Sequence, residues 1–111
     1  MRHKIALIPF PFDDLSSAKV RPILCLTDPI GPHGHVVVAF ITSRVPADLL
    51  DTDLVIASDH PGFGETGLKV SSTVMIHRLM TVSGALLKRE LGRLPEAFQT
   101  DVRRKLARLF P

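Results

Sequence analysis

An arginine and two hydroxyl residues stand at the ends of two apolar segments. Arg21 opens the segment 21–27, and Thr42 with Ser43 closes the segment 37–43. If the two segments pair as antiparallel strands, the start of one lies near the end of the other. The forked guanidinium donors of Arg21 would then face two hydroxyl groups, a combination that fits a phosphate. The spacing therefore predicts an anion or phosphate site at one edge of a sheet.

Short apolar segments between loops rich in Gly and Pro must position these residues. Runs of apolar β-formers predict strands, and runs of helix and strand breakers predict loops. The predicted strands are 5–8, 21–27, 35–42, 54–57 and 73–76, and the predicted loops are 13–19, 28–34 and 59–67. One helical turn is expected within 46–53.

The last quarter of the chain has a helical pattern. Ser83 suits the N-cap of a short helix that continues through Glu90, and Pro95 suits the first position of a final helix. In that helix apolar residues recur every three to four positions, at Phe98, Val102, Leu106, Leu109 and Phe110. Strands followed by helices predict an α+β fold that is mainly β, with a small curved sheet or partly open barrel against the helices.

Composition limits the classes of function. With 111 residues, of which 45% are hydrophobic, the chain is expected to form one domain over residues 1–111. Six Phe and no Trp or Tyr disfavour nucleic-acid binding by extensive aromatic stacking, while a net charge of +3 suits a polyanionic partner. The single cysteine, Cys25, is predicted to be a core residue. No apolar run approaches the roughly 20 residues of a membrane span, so a cytoplasmic protein without membrane contact is expected.

Several polar groups also have plain structural interpretations. His33 and His35 form a His-x-His pair that could hold a metal, but a loop is the better interpretation because no further ligands complete a site. Asp13 and Asp14 are better explained as turn or loop anchors than as catalytic groups. Basic residues near the C-terminus fit the solvated face of the final helix better than an RNA-binding stripe. They are Arg103, Arg104, Lys105 and Arg108.

Four segments in order carry a resemblance to a known family. They are Ile8-Pro9-Phe10-Pro11-Phe12-Asp13-Asp14-Leu15, Lys19-Val20-Arg21-Pro22, Ile41-Thr42-Ser43 and Arg78-Leu79-Met80-Thr81-Val82. Together they resemble the MazF/PemK family of type II toxins from about Ile5 to the final helix. The resemblance implies an SH3-like barrel, a homodimer, cleavage of single-stranded RNA without a metal or other cofactor, and control by a cognate antitoxin. It also implies that Arg21, Thr42 and Ser43 belong to the active site.

The residue types suit that chemistry. Cleavage of RNA through its own 2′-hydroxyl needs a proton acceptor and stabilisation of charge on the phosphorane. Arg21 can stabilise that charge and is a candidate acid, while Thr42 and Ser43 can donate to phosphate oxygens or orient the 2′-hydroxyl. Lys19, Arg44 and Arg78 are predicted phosphate contacts.

The chain departs from the family pattern at two positions. Met75 and His77 stand where many members have polar or acidic residues. The charged pair that is proposed to act as general acid and base in some members therefore has no counterpart in this chain. Imidazole titrates near neutral pH, and His77 is therefore the candidate proton acceptor, although a structural histidine is the commoner case.

Two other functions stay open at this stage. One is a gyrase poison of the same fold, which the absence of Trp from the C-terminal residues 109–111 disfavours because such poisons use a Trp-containing tail. The other is a binding module that kept the barrel but lost cleavage, which the departures at Met75 and His77 favour.

Overall fold

An antiparallel sheet forms most of the protein. The computed structural model describes residues 1–10 and 19–111, with only the backbone of Phe10. The strands are β1 (Lys4–Phe10), β2 (Lys19–Cys25), β3 (His35–Thr42), β4 (Asp53–Ile56), β5 (Ser72–Ser83) and β6 (Arg89–Arg93). The helices are α1 (Phe63–Thr66), a 3₁₀ turn (Gly84–Leu86) and α2 (Glu96–Leu109). The predicted loop 13–19 lies outside the described residues, apart from Lys19 in β2.

The strands form one curled sheet of six in the order β4-β5-β3-β2-β1-β6. Every pairing between neighbours is antiparallel. The mainly β architecture with a C-terminal helix confirms the predicted fold class. None of the helices in the described residues is long and apolar enough to span a membrane.

The central strands are buried on both faces. In β3, Val38 packs in one apolar cluster while its neighbour Ala39 packs in the other. Burial on both faces explains why the sequence of β3 is a continuous apolar run in which polar and apolar residues do not alternate. The helix α2 covers one face with the buried Val102 and the partly buried Phe98 and Leu106. Full burial of a valine side chain contributes roughly 1.5–3 kcal/mol.

The predicted helix from Ser83 through Glu90 is wrong. Ser83 does act as an N-cap, since its Oγ accepts a hydrogen bond from the Ala85 amide at 3.3 Å. The capped segment, however, is a single 3₁₀ turn, and the chain then enters β6. Pairing of β6 with β1, from Lys4↔Arg93 onward, outweighs the local helical tendency.

Two other segments differ from the sequence-based expectation. No helical turn forms within 46–53; instead the Asp53 carboxylate accepts a hydrogen bond from the Leu50 amide at 3.0 Å and closes a turn before β4. The predicted loop 59–67 contains the short helix α1. The side chain of Thr66 supports it by donating to the Phe63 carbonyl oxygen at 2.7 Å.

Cys25 occupies the core position that the sequence predicts. Its side chain is fully buried, and burial raises the pKa of the thiol. Because the thiolate is the reactive form, we expect the native protein to resist alkylation by N-ethylmaleimide at neutral pH. Mass spectrometry should find complete alkylation in denaturant under the same conditions. Rapid alkylation of the folded protein would contradict the described burial.

Candidate active site

One groove gathers residues from β2, β3 and the chain that follows β3. The strands β2 and β3 pair antiparallel as far as Ile23↔Phe40, so Arg21 near the start of β2 and Thr42 at the end of β3 lie at the same edge of the sheet. Both residues line a groove with a volume of about 680 Å³. The antiparallel pairing assumed from the sequence is confirmed, and it brings the predicted guanidinium and one predicted hydroxyl together.

An irregularity in β5 adds a second arginine to the groove. The register shifts between the pairs Ala39↔Leu79 and Phe40↔Met75, so β5 has extra residues at this point. One of them, Arg78, lies over the ring of Phe40, with its guanidinium carbon 5.5 Å from the ring centroid. This cation–π contact directs Arg78 along the groove wall.

The turn after β3 supplies the third arginine. Thr42 Oγ1 accepts a hydrogen bond from the Arg44 amide at 3.3 Å, and Thr73 Oγ1 donates to the Arg44 carbonyl oxygen at 2.8 Å. Thr73 is fully buried in β5, so the backbone of Arg44 is held against a rigid strand. Because Thr42 Oγ1 acts as an acceptor in this turn, its hydroxyl hydrogen is available to a ligand in the groove.

The groove therefore combines cationic and apolar walls. Its lining comprises Arg21, Arg44 and Arg78, the hydroxyl residue Thr42, and Phe40, Ile41, Val45, Pro46 and Met75. Three arginine residues in the lining of one concave site favour a polyanion. The apolar lining at Phe40 and Met75 had no signal in the sequence, because only the register of β3 against β5 places these residues beside the arginines.

Three predicted site residues do not line the groove. Lys19 is exposed at the start of β2, and Ser43 is exposed immediately after β3. His77 is exposed as well, and its Nδ1 lies 2.8 Å from Thr52 Oγ1. The structure thus places Arg21, Thr42, Arg44 and Arg78 in one groove, with the other three residues outside its lining.

The histidine pair lies at the β2–β3 connection: His33 is in the turn, and His35 is the first residue of β3. The rings of His33 and His35 are 5.8 Å apart, and Gly31 and Gly34 beside them have positive φ angles of 73° and 61°. Among the described residues, no group of three or more His, Cys, Asp or Glu is arranged to hold a metal ion.

The C-terminal helix contacts the segment between β3 and β4. Arg108 Nη1 contacts the two carboxylate oxygens of Asp51 at 2.7 and 3.0 Å, and Lys105 Nζ donates to the Asp51 carbonyl oxygen at 2.6 Å. These contacts connect α2 to the turn that precedes β4.

Removal of this connection should loosen the segment without unfolding the protein. We expect Arg108→Ala to speed hydrogen exchange of the Leu50 amide about threefold and to cost under about 1 kcal/mol of unfolding free energy, because exposed ion pairs are weak. Arg104→Ala is the matched control, since Arg104 pairs with Asp101 within the helix. Equal exchange rates in both variants would show that Arg108 does not hold the segment.

The curled sheet and the C-terminal helix define a small half-barrel protein with an arginine-rich groove. The family model of the PemK-like, MazF-like toxin of type II toxin-antitoxin systems matches residues 1–110. The chain belongs to this toxin family, which confirms the resemblance found in its sequence motifs.

Solved structures share the fold over nearly the whole chain. A Mycobacterium tuberculosis toxin, MazF-mt6, is 25% identical with a TM-score of 0.72, and the match covers 96% of this chain and 95% of that one. An endoribonuclease in complex with its cognate antitoxin from Mycobacterial species is 14% identical, with a TM-score of 0.70 and coverage of 100% and 96%. A MazE-MazF structure from Deinococcus radiodurans is 19% identical, with a TM-score of 0.68 and coverage of 97% and 91%. No curated protein sequence matches the chain at a significant level.

Proposed function

We propose that this toxin is an endoribonuclease that cleaves single-stranded RNA through the substrate's own 2′-hydroxyl group. The observation that carries the proposal is that three arginines and Thr42 line one groove. Membership of the toxin family and the fold shared with solved endoribonucleases support it. Residues 1–111 act in this proposal as one toxin domain.

The proposed reaction is an internal transesterification. The 2′-oxygen forms a bond to phosphorus and loses its proton, while the bond from phosphorus to the 5′-oxygen breaks and that oxygen gains a proton. The products are a 2′,3′-cyclic phosphate and a 5′-hydroxyl end. Arg21 and Thr42 donate to the non-bridging oxygens, whose charge increases in the phosphorane, so the transition state is stabilised more than the substrate. This charge stabilisation comes from side chains and requires no metal ion.

The remaining groove residues bind the RNA on either side of the scissile phosphate. Arg44 and Arg78 contact the neighbouring phosphates, which fixes the register of the strand. Phe40 and Met75 offer apolar surface to the bases. Lys19 and Ser43, which lie outside the lining, contact the RNA where it leaves the groove. These contacts suit a preference for short sequence motifs.

The hypothesis that His77 accepts the 2′-hydroxyl proton makes a separate prediction. A general base takes part in the chemical step, so His77→Gln should slow single-turnover cleavage about 100-fold. Thr52→Val is the control for a structural role, because it removes only the 2.8 Å contact with His77 Nδ1. An unchanged single-turnover rate in His77→Gln would assign the histidine to its structural contact with Thr52 rather than to the chemistry.

The biological partners follow from the toxin class. We propose a homodimer that acts on messenger RNA in the cytoplasm and is inhibited by a cognate antitoxin. A cationic groove attracts a disordered acidic segment that folds on binding and excludes RNA, which gives the inhibition a physical basis.

The test is incubation of the purified protein with a long, end-labelled RNA in the presence of EDTA. The proposal predicts discrete cuts whose ends carry a 2′,3′-cyclic phosphate and a 5′-hydroxyl. Binding of the RNA without strand scission would instead establish the binding-module function.

A further inference from the structure

A second, smaller cavity lies at the other end of β2. Its volume is about 210 Å³, and it lies where the N-terminal residues, the end of β2 and the helix α2 meet. Its lining comprises Arg2, His3, Leu26, Thr27, Val102, Arg103 and Leu106. Leu26 is five positions after Arg21, which corresponds to roughly 17 Å along a strand. This N-terminal pocket is therefore a site apart from the proposed active site.

The backbone of His3 is fixed in an uncommon conformation. Its φ angle is 74°, in the left-handed region that residues other than Gly rarely adopt. The His3 amide donates to the Cys25 carbonyl oxygen at 2.8 Å, and the His3 carbonyl oxygen accepts from the Leu94 amide at 2.7 Å. Because both hydrogen bonds join ordered segments, the imidazole is presented to the pocket from a rigid position.

Positive charge exceeds negative charge around this imidazole. The carboxylate of Asp28 contacts both the N-terminal ammonium at 3.3 Å and Arg2 at 3.4 Å. Arg93 and Arg103 form no ion pair with a carboxylate within residues 1–10 and 19–111. Burial lowers the pKa of His3, and the charges of Arg2, Arg93 and Arg103 lower it further, while Asp28 opposes them.

The pocket also has an apolar floor. Val102 is fully buried, and Leu26 and Leu106 pack partly exposed beside it. A purely cationic surface would suit an RNA phosphate, and an aromatic floor would suit a base. Leu and Val side chains beneath a cationic rim instead suit a peptide in which an acidic residue stands next to an apolar residue.

We propose that the N-terminal pocket binds an acidic side chain of a partner peptide, with the adjacent apolar side chain seated on Leu26, Val102 and Leu106. Arg103 pairs with the carboxylate, and His3 hydrogen-bonds to it. The acidic antitoxin is the expected source of such a peptide, and that assignment rests on the proposed function. The pocket is thus a second anchor for the partner, remote from the RNA groove.

Proton linkage gives the pocket a distinctive signature. A bound carboxylate favours the protonated imidazole, so binding should raise the pKa of His3. By reciprocity, the peptide should bind more tightly at a pH below the pKa of His3 and more weakly above it. The charged groups that act on His3 are Arg2, Arg93, Arg103 and Asp28, and the N-terminal ammonium lies beside Asp28 at 3.3 Å.

The experiment is an NMR titration of the full chain with the peptide acetyl-Leu-Glu-Glu-Leu-amide, followed at the His3 imidazole and the Arg103 guanidinium. The peptide acetyl-Leu-Gln-Gln-Leu-amide is the neutral control. The proposal predicts saturable shifts at both side chains, a raised pKa of His3 with the acidic peptide alone, and about tenfold weaker binding by Arg103→Gln. Arg104→Gln, on the same helix but outside the pocket, should bind like the wild type.

Three results would overturn the proposal. They are equal binding of the two peptides, equal affinity of Arg103→Gln and Arg104→Gln, or a response of His3 to oligouridylate in place of the acidic peptide. RNA cleavage by Arg103→Gln is measured in parallel and should match the wild-type rate. RNA cleavage without peptide binding by the wild type would reject the proposed pocket and leave the nuclease function standing. Peptide binding without RNA cleavage by the wild type would reject the nuclease function and leave the pocket standing.

Discussion

Replacement of Arg21 by alanine is expected to slow single-turnover RNA cleavage about 100-fold or more, because removal of one preorganised donor to a developing oxyanion has an effect of this size. Arg21 near the start of β2 and Thr42 at the end of β3 line the same groove. The measurement uses saturating enzyme and a short labelled RNA that contains a mapped cut site. Saturating enzyme separates the chemical step from RNA binding.

The matched control for this prediction is Arg89→Ala. Arg89 is exposed on a strand, as Arg21 is, but it lies on β6 and outside the groove. It should cleave at close to the wild-type rate. Equal rates for Arg21→Ala and wild type would remove Arg21 from the mechanism, while equal losses in the two variants would show only a general effect of charge.

The substitution Gly92→Ala should destabilise the fold more than any other change considered. A Cβ atom on Gly92 would overlap the carbonyl oxygen of Glu65 and the carbonyl carbon of Thr66, because α1 ends directly against β6. Both obstacles are backbone atoms, so no side-chain rotation relieves them. We expect a loss of about 3 kcal/mol of unfolding free energy, at the upper end for overpacking. Urea denaturation followed by circular dichroism measures it.

Gly64→Ala serves as the control for helix α1. A Cβ atom at Gly64 meets nothing within 4 Å, and alanine is a better helix former than glycine. This variant should be as stable as wild type or slightly more so. A small effect of Gly92→Ala, similar to that of Gly64→Ala, would mean that α1 does not pack on β6 as described.

The sequence was most informative where local pattern and tertiary structure agree. The segment 35–42 is a continuous apolar run between breakers, and β3 has those bounds. The C-terminal helix was predicted, and its apolar spacing reaches the core at Val102. Its ends differ slightly from the prediction: Pro95 is the N-cap rather than the first helical residue, and Phe110 follows the helix as an exposed C-cap. The β6 strand was missed because Ser83 and the residues after it are typical of a capped helix. Only pairing with β1, distant in sequence, makes this segment a strand.

The candidate site was partly predictable for a similar reason. Antiparallel pairing alone was enough to bring Arg21 and Thr42 together. The position of Arg78 depends on the irregularity in β5, and that of Arg44 depends on the turn bonded to Thr42 and Thr73. Neither feature has a signal in a single sequence. Proximity along the chain nevertheless identified both arginines as candidates for phosphate contacts.

The most direct test of the groove as the catalytic site is a double-mutant cycle between Arg21→Ala and Thr42→Val, measured as single-turnover cleavage in EDTA. If both side chains act on one phosphate, Thr42→Val alone should cost about tenfold, and the double variant should lose less than the product of the two single losses. Cleavage by the double variant at the wild-type rate would contradict the assignment of the reaction to this groove.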